Sequence, residues 1–187
     1  MACNLPADIK WFKQVFKNIR KKYGHLDAVI NCAVTNPSVS HFILIPSNIV
    51  SQAYKTNVFG LMTICREAVK IMMRKKFGRI INLGSMAAKH EIVGDSIYAS
   101  SKSAIHTFSR VLAKEVYSNG ITCNVVAPAA IRTDLSVDMD QVVLNEALGR
   151  NAIKDYGEME DVSNLTDWLL KDESNAITGQ IIYLGGA

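Results

Sequence analysis

Hydrophobic positions along the chain switch between two spacings, and the switching sets the order of elements. From Asp8, a residue suited to a helix N-cap, Phe12, Val15, Phe16 and Ile19 recur at helical spacing until Gly24, which predicts a first helix over 8–24. The run LDAVINCAV that follows is short and apolar, as a buried strand is. A long helical pattern over 51–76 comes next, and Gly78 separates it from the strand-like run RIINLGS. Over 98–118, Ile105, Phe108, Leu112 and Val116 form one apolar stripe, with Ser103, Thr107, Arg110 and Lys114 largely off it. ITCNVVAP, stopped by Pro128, is a third strand, and a helical stretch over 161–170 precedes a fourth, GQIIYLGG. This alternation predicts an α/β fold with a parallel sheet covered on both faces. No repeat, low-complexity tract or linker interrupts it, so one domain over 1–187 is expected.

Composition narrows the function classes. The formal charge is +4, but the basic runs Arg20-Lys21-Lys22 and Arg74-Lys75-Lys76 fall at predicted helix ends. There they complement the helix dipole or face solvent, and no nucleic-acid partner is expected. Cys3, Cys32, Cys65 and Cys123 have no C-x-x-C spacing, and Cys32 and Cys123 fall in strand-like runs. That pattern suits reduced core thiols of a cytoplasmic protein. The start MACNLPADIK lacks a secretion signal, and no run of about 18 apolar residues exists to span a membrane. His25, His41, His90 and His106 share no ligand spacing, so no catalytic metal is expected, and His106 reads as a packing or interface residue.

In open α/β sheets, ligands lie beyond the carboxyl ends of the strands. Those positions are Cys32-Ala33-Val34, Gly84-Ser85-Met86, Pro128-Ala129-Ala130 and Gly185-Gly186, and only Ser85 offers an obvious chemical use. A serine at a strand end is more often a cap or turn former. Tyr98 and Lys102, four residues apart, share one face of the third helix. A free phenol has a pKa of about 10, too high for ready proton transfer near neutrality. A neighbouring ammonium favours the phenolate, so the pair is a tunable acid or base. The spacing alone is common, and most such pairs lie on helix surfaces.

The surroundings decide between these readings. Ser85 precedes Tyr98 by 13 positions, GRIINLGS leads up to it, TNVFG with Asn57 lies upstream, and NVVAPAAIRTD lies downstream. Together these resemble the short-chain dehydrogenase/reductase family over the whole chain. The resemblance implies a Rossmann-like, doubly wound parallel sheet and a catalytic tetrad at Asn57, Ser85, Tyr98 and Lys102. Tyr98 would give or take the proton, and Lys102 would lower its pKa and bond the nicotinamide ribose. Ser85 would hold the substrate oxygen, and Asn57 would support a water relay to Lys102. INCAV resembles the family's N-N-A-G stretch, keeping Asn31 and Ala33 but placing Cys32 and Val34 in the other two positions. APAAIRTD resembles P-G-x-I-x-T, keeping Pro128, Ile131 and Thr133, with Ala129 for glycine. ITGQIIYLGG resembles the terminal strand, with Leu184 where aspartate is frequent.

Part of the family pattern is not in this sequence. The glycine-rich turn T-G-x-x-x-G-x-G is missing, and the chain begins inside the pattern, with Asn4 where an aspartate near the adenine is usual. The expected fold is therefore N-terminally truncated, short by about 60 residues if a complete domain has about 250. The strand at 28–30 would then have an open edge. The implied function is an NAD- or NADP-dependent interconversion of a carbonyl and a secondary alcohol. The 3-oxoacyl-carrier-protein reductase branch is the nearest in overall pattern, with an acyl thioester on a carrier as its substrate. Alternatives are a sugar, polyol or steroid dehydrogenase, or a non-catalytic remnant keeping fold and interface. A nucleotide-sugar relative is disfavoured because the sequence ends at Ala187, with no larger C-terminal substrate domain. The helices over 51–76 and 98–118 resemble those of the family's interface, implying a homodimer or homotetramer. Over 134–156, Leu135, Val137, Met139, Val142, Val143, Leu144 and Leu148 suit either a mobile substrate lid or an amphipathic helix pair packed on the core.

Overall fold

A sheet of four parallel strands pairs in chain order: β1 (Ala28–Asn31), β2 (Gly78–Leu83), β3 (Ile121–Pro128) and β4 (Ile181–Leu184). The computed structural model describes residues 9–37, 39–131 and 141–186. Its helices are α1 (Ile9–Tyr23), α2 (Ser47–Tyr54), α3 (Leu61–Lys75), α4 (Ala87–His90), α5 (Ser96–Val116), α6 (Gln141–Gly149) and α7 (Met159–Leu170). Among the described residues, none of these is long and apolar enough to cross a membrane.

Strand register divides the core into two layers. Ile80 lies opposite Cys123, and the next pair is Ile81 with Asn124. Alternate residues face opposite sides of a sheet. Ile80 and Cys123 accordingly pack against Phe16 of α1, Met72 of α3 and Ile105 and Leu112 of α5. Ile81 and Val126 pack on the other side against Leu169 of α7. The sheet is therefore doubly wound, but its covering is uneven. Ile30 pairs with Ile81 and so faces the α7 side, where it is 43% exposed at the end of the strand order.

The helix expected over 51–76 starts earlier and is broken. It follows the extended Pro46 and passes through a π-helical turn, Lys55–Gly60, between α2 and α3. A π-helical turn inserts a residue into the helical count and often marks a functional position. Here it turns Asn57 and Val58 into the interior. At the far end of α3, Lys76 adopts a left-handed conformation at φ 51°. Its carbonyl lies so close to Gly120, itself at φ +69°, that a Cβ there would overlap it. Only glycine suits that crossing of loops. A capping box between Glu158 and Asp161 starts α7 two residues before the expected 161.

Cysteine placement matches expectation in part. Cys65 and Cys123 are buried free thiols, pushed up by burial, Cys123 to about 12. Cys32 is exposed rather than part of the core, because β1 ends at Asn31 and Cys32 is the first residue beyond it. Between the two buried thiols a polar line crosses the sheet. Asn31 Nδ2 donates to Asn82 Oδ1 at 2.8 Å, and Asn82 Nδ2 donates to Ser109 Oγ at 2.8 Å. Asn82 is fully buried, so its removal leaves two polar groups without their partner. Asn82→Leu is expected to lower stability by about 1–3 kcal/mol, measured by urea unfolding against the wild-type chain.

Candidate active site

The site grows from the carboxyl ends of β2 and β3. Gly84 N–H donates to the Val126 carbonyl at 2.7 Å and Met86 N–H to the Pro128 carbonyl at 2.9 Å, so the chain after β2 continues alongside β3. Ser85 lies between these bonds, and its Oγ accepts from Ala87 N–H at 3.1 Å, closing the turn that leads into the short α4. The turn-forming role of Ser85 leaves its side chain at the strand end. Helix α5 then carries Tyr98 in its first turn and Lys102 one turn later.

Lys102 is 3% exposed, and its Nζ donates to the Leu83 carbonyl at 2.8 Å. The same ammonium lies 5.6 Å from the centroid of the Tyr98 ring. Burial lowers the Lys102 pKa to about 8, opposed in part by Cys32. Burial pushes the Tyr98 phenol up to about 12, against the Ser85 hydroxyl beside it and with Asp95 adding to the rise. The lowering of Tyr98 expected from Lys102 is therefore not what the chain alone shows.

Asn57, 1% exposed, is occupied on both sides of its amide. Its Oδ1 accepts from Thr35 N–H at 2.9 Å, while Nδ2 donates to the Thr35 carbonyl at 2.9 Å and to Ser101 Oγ at 3.1 Å. Ser101 Oγ in turn donates to the Tyr98 carbonyl at 2.8 Å. Asn57 thereby ties the loop after β1 to the turn of α5 that bears Tyr98. With both Nδ2 hydrogens in use, only an oxygen lone pair or its main-chain carbonyl is left for a relay water.

A cavity of about 210 Å³ opens beside these residues, and Ser85, Tyr98, Pro128 and Ile131 line it. Leu144 and Leu148 of α6 are buried, and Leu144 also faces the cavity, so α6 both packs on the core and walls the site. Ala33 is exposed beyond β1 and lines a separate small cleft with Phe12 and Asn31, whose side chain turns inward to Asn82. Asn4, Thr133 and residues 134–140 of the lid stretch lie outside the described residues. Among the described residues no group of three His, Cys, Asp or Glu side chains is arranged to hold a metal ion. His106 is 4% exposed and meets the Tyr183 ring edge-on, with centroids 6.0 Å apart, which is a packing position.

Sequence reasoning missed the polar members of this cavity: Asn36, His90, Asp95 and Asn151. Asp95 directly precedes the helix that carries Tyr98, and that adjacency was the one available signal. Burial raises its carboxyl to about 6. Nothing in local spacing marks Asn151, which is 66 positions from Ser85 and reaches the site through the turn after α6.

A family model described as enoyl-(acyl carrier protein) reductase matches residues 3–186. A bovine 3-oxoacyl-[acyl-carrier-protein] reductase is 35% identical over 176 residues, covering 93% of this chain and 71% of that protein. The reductase FabG of Salmonella typhimurium is 30% identical over 182 residues, covering 97% and 72%. A solved structure described as ElxO with NADP bound shares the fold at a TM-score of 0.86 and 24% identity, covering 95% of this chain and 73% of its own. The chain belongs to the short-chain dehydrogenase/reductase family, whose members are NAD(P)-dependent oxidoreductases.

The depressed Lys102 sets a pH dependence. The folded chain releases this proton near pH 8, whereas the unfolded chain holds it to 10.5. Between those values the unfolded state binds more protons, so stability rises with pH. Wild type is expected to gain up to about 3 kcal/mol relative to Lys102→Met between pH 7 and pH 10.5, read from urea unfolding of both proteins across that range.

Proposed function

We propose that this chain reduces a 3-oxoacyl thioester to the 3-hydroxyacyl form, using NADPH or NADH. The observation that carries this reading is that Tyr98 and Ser85 line one cavity while Lys102 is buried beneath them at the end of β2. At neutral pH the Tyr98 phenol holds its proton and can hand it to a carbonyl oxygen that gains negative charge. The Ser85 hydroxyl, which accepts from Ala87 and bonds the Tyr98 side chain, would turn its hydrogen to the same oxygen when substrate binds. Asn57 acts as a positioning residue, holding the Tyr98 turn through Ser101.

The residues present fit the nicotinamide end of a dinucleotide. Lys102 Nζ has three donors and gives one to Leu83, leaving two for ribose hydroxyls. Pro128 and Ile131 would bound the ring from the cavity wall. Bound NAD(P)H supplies the hydride that reaches the carbonyl carbon. Similarity to the 3-oxoacyl reductases supports the thioester as substrate, and the apolar wall at Ile92, Ile131 and Leu144 suits an acyl chain. The exposed Phe59, Met73 and Val111 on the α3 and α5 region support a homodimer or homotetramer.

Acetoacetyl-N-acetylcysteamine and NADPH or NADH, followed at the nicotinamide absorbance, test the reading. Tyr98→Phe is expected to cut kcat by about 10²–10⁴-fold while leaving unfolding unchanged within about 0.5 kcal/mol. Full activity in Tyr98→Phe would contradict the assigned proton donor. A folded wild-type chain that binds neither nucleotide would favour the remnant reading.

A further inference from the structure

An aspartate at a helix N-cap ordinarily turns its carboxylate onto the free N–H groups of the first turn. Asp95 holds that position at the start of α5, yet its side chain makes no capping bond. Its main chain is well fastened. Asp95 N–H donates to the Ile92 carbonyl at 3.1 Å, and its own carbonyl accepts from Ala99 N–H at 2.9 Å. The neighbouring Gly94 carbonyl accepts from Ser40 N–H at 3.0 Å. The backbone is thus fixed while the carboxylate is left over, and it lines the cavity that also holds Ser85 and Tyr98.

Asp95 gives that cavity its sign. Among the described residues the lining includes no lysine or arginine. His90 also lines it, but burial, with Arg150 and Lys89 nearby, lowers its pKa and keeps the ring neutral at neutral pH. The Arg150 guanidinium is engaged elsewhere, by the His90 carbonyl and by Glu146 at 2.6 Å. Burial raises the Asp95 carboxyl to about 6, with no cation opposing the rise, so it is still largely ionised at pH 7. Its charge also reaches the reacting end, where it adds to the rise that burial gives the Tyr98 phenol.

This lone charge decides which ligands can enter. A free carboxylate brought beside Tyr98 would lose water and meet Asp95 without a counter-charge. An ester or thioester of the same acid has nearly the same shape and no charge. Placing an unpaired charge against the unwanted ligand is a common way to reach specificity. The apolar wall at Ile92, Ile131 and Leu144 offers a carboxylate no compensation.

We propose that Asp95 is a specificity-determining residue that excludes free oxo acids from the cavity, so that an oxo acid reaches Tyr98 when its carboxyl is masked as an ester or thioester. This deepens the reductase reading and rests on it. The reaction that supplies the substrate must then be one that esterifies or thioesterifies the acid before its ketone is reduced.

Two acid and ester pairs separate this charge effect from the chemistry: acetoacetate with methyl acetoacetate, and 4-oxopentanoate with methyl 4-oxopentanoate. Kd values come from NMR titration of the full chain at pH 7, without any need for turnover. In at least one pair the ester is expected to bind about tenfold or more tighter than the acid. That ratio is expected to fall by about tenfold in Asp95→Asn and in Asp95→Ser, both uncharged and both suited to a helix N-cap. Equal affinities within both pairs in wild type would overturn the proposal. So would a ratio that survives in both variants, since the loss of water by the carboxylate would then account for it without Asp95. Absence of thioester reduction with this binding pattern intact would instead count against the reductase reading alone.

Discussion

The bond from Lys102 Nζ to the Leu83 carbonyl is the interaction on which the site depends. It ties the second turn of α5 to the last residue of β2 and so sets the height of the helix on the sheet. Tyr98, one turn before Lys102, is thereby brought over the sheet end, into a wall shared with Ser85. The fastening has an electrostatic cost, since an ammonium 3% exposed has lost most of its water. One carbonyl and the face of the Tyr98 ring offset only part of that cost, and the lysine responds by holding its proton less tightly. Stability is given up here for a group with donors to spare at the mouth of the sheet.

Other buried polar groups surround this fastening. Asn31, Asn82 and Ser109 satisfy one another beneath the sheet and fix the spacing of β1, β2 and α5. Asn57 does the same between the loop after β1 and α5, from a π-helical turn that a regular helix would not have presented. Asn36, His90 and Asn151 face the cavity, where the His90 and Asn151 side chains bond each other.

Much of the fold was legible because its signals are local. The apolar runs at β1 to β4 and the stripe on α5 reflect burial periods that each segment carries alone. Ser85, Tyr98 and Lys102 could also be read, since two of them share a helix and the third lies two residues beyond β2. The break in the long helix was not legible: Lys55 to Gly60 continues the helical pattern, and only the distant Thr35 and Ser101 explain why Asn57 turns inward. Cys32 was misplaced by a strand that stops one residue early. The burial that raises the Tyr98 phenol was not legible either, because spacing reports only which side chains are near one another. His90 and Asn151 come together only through Arg150 and the turn after β4, contacts that no local pattern encodes.

The central claim is that burial keeps Tyr98 protonated, with Lys102 turned to the sheet rather than to the phenol. A ¹³C NMR titration of the chain labelled at tyrosine Cζ, with Tyr98 assigned by its loss in Tyr98→Phe, measures this directly. Without nucleotide, the Tyr98 resonance is expected to show no ionisation below about pH 11, in keeping with a phenol pushed up to about 12. Ionisation of Tyr98 at or below pH 10 would show that Lys102 governs the phenol in the free chain, and would contradict this account.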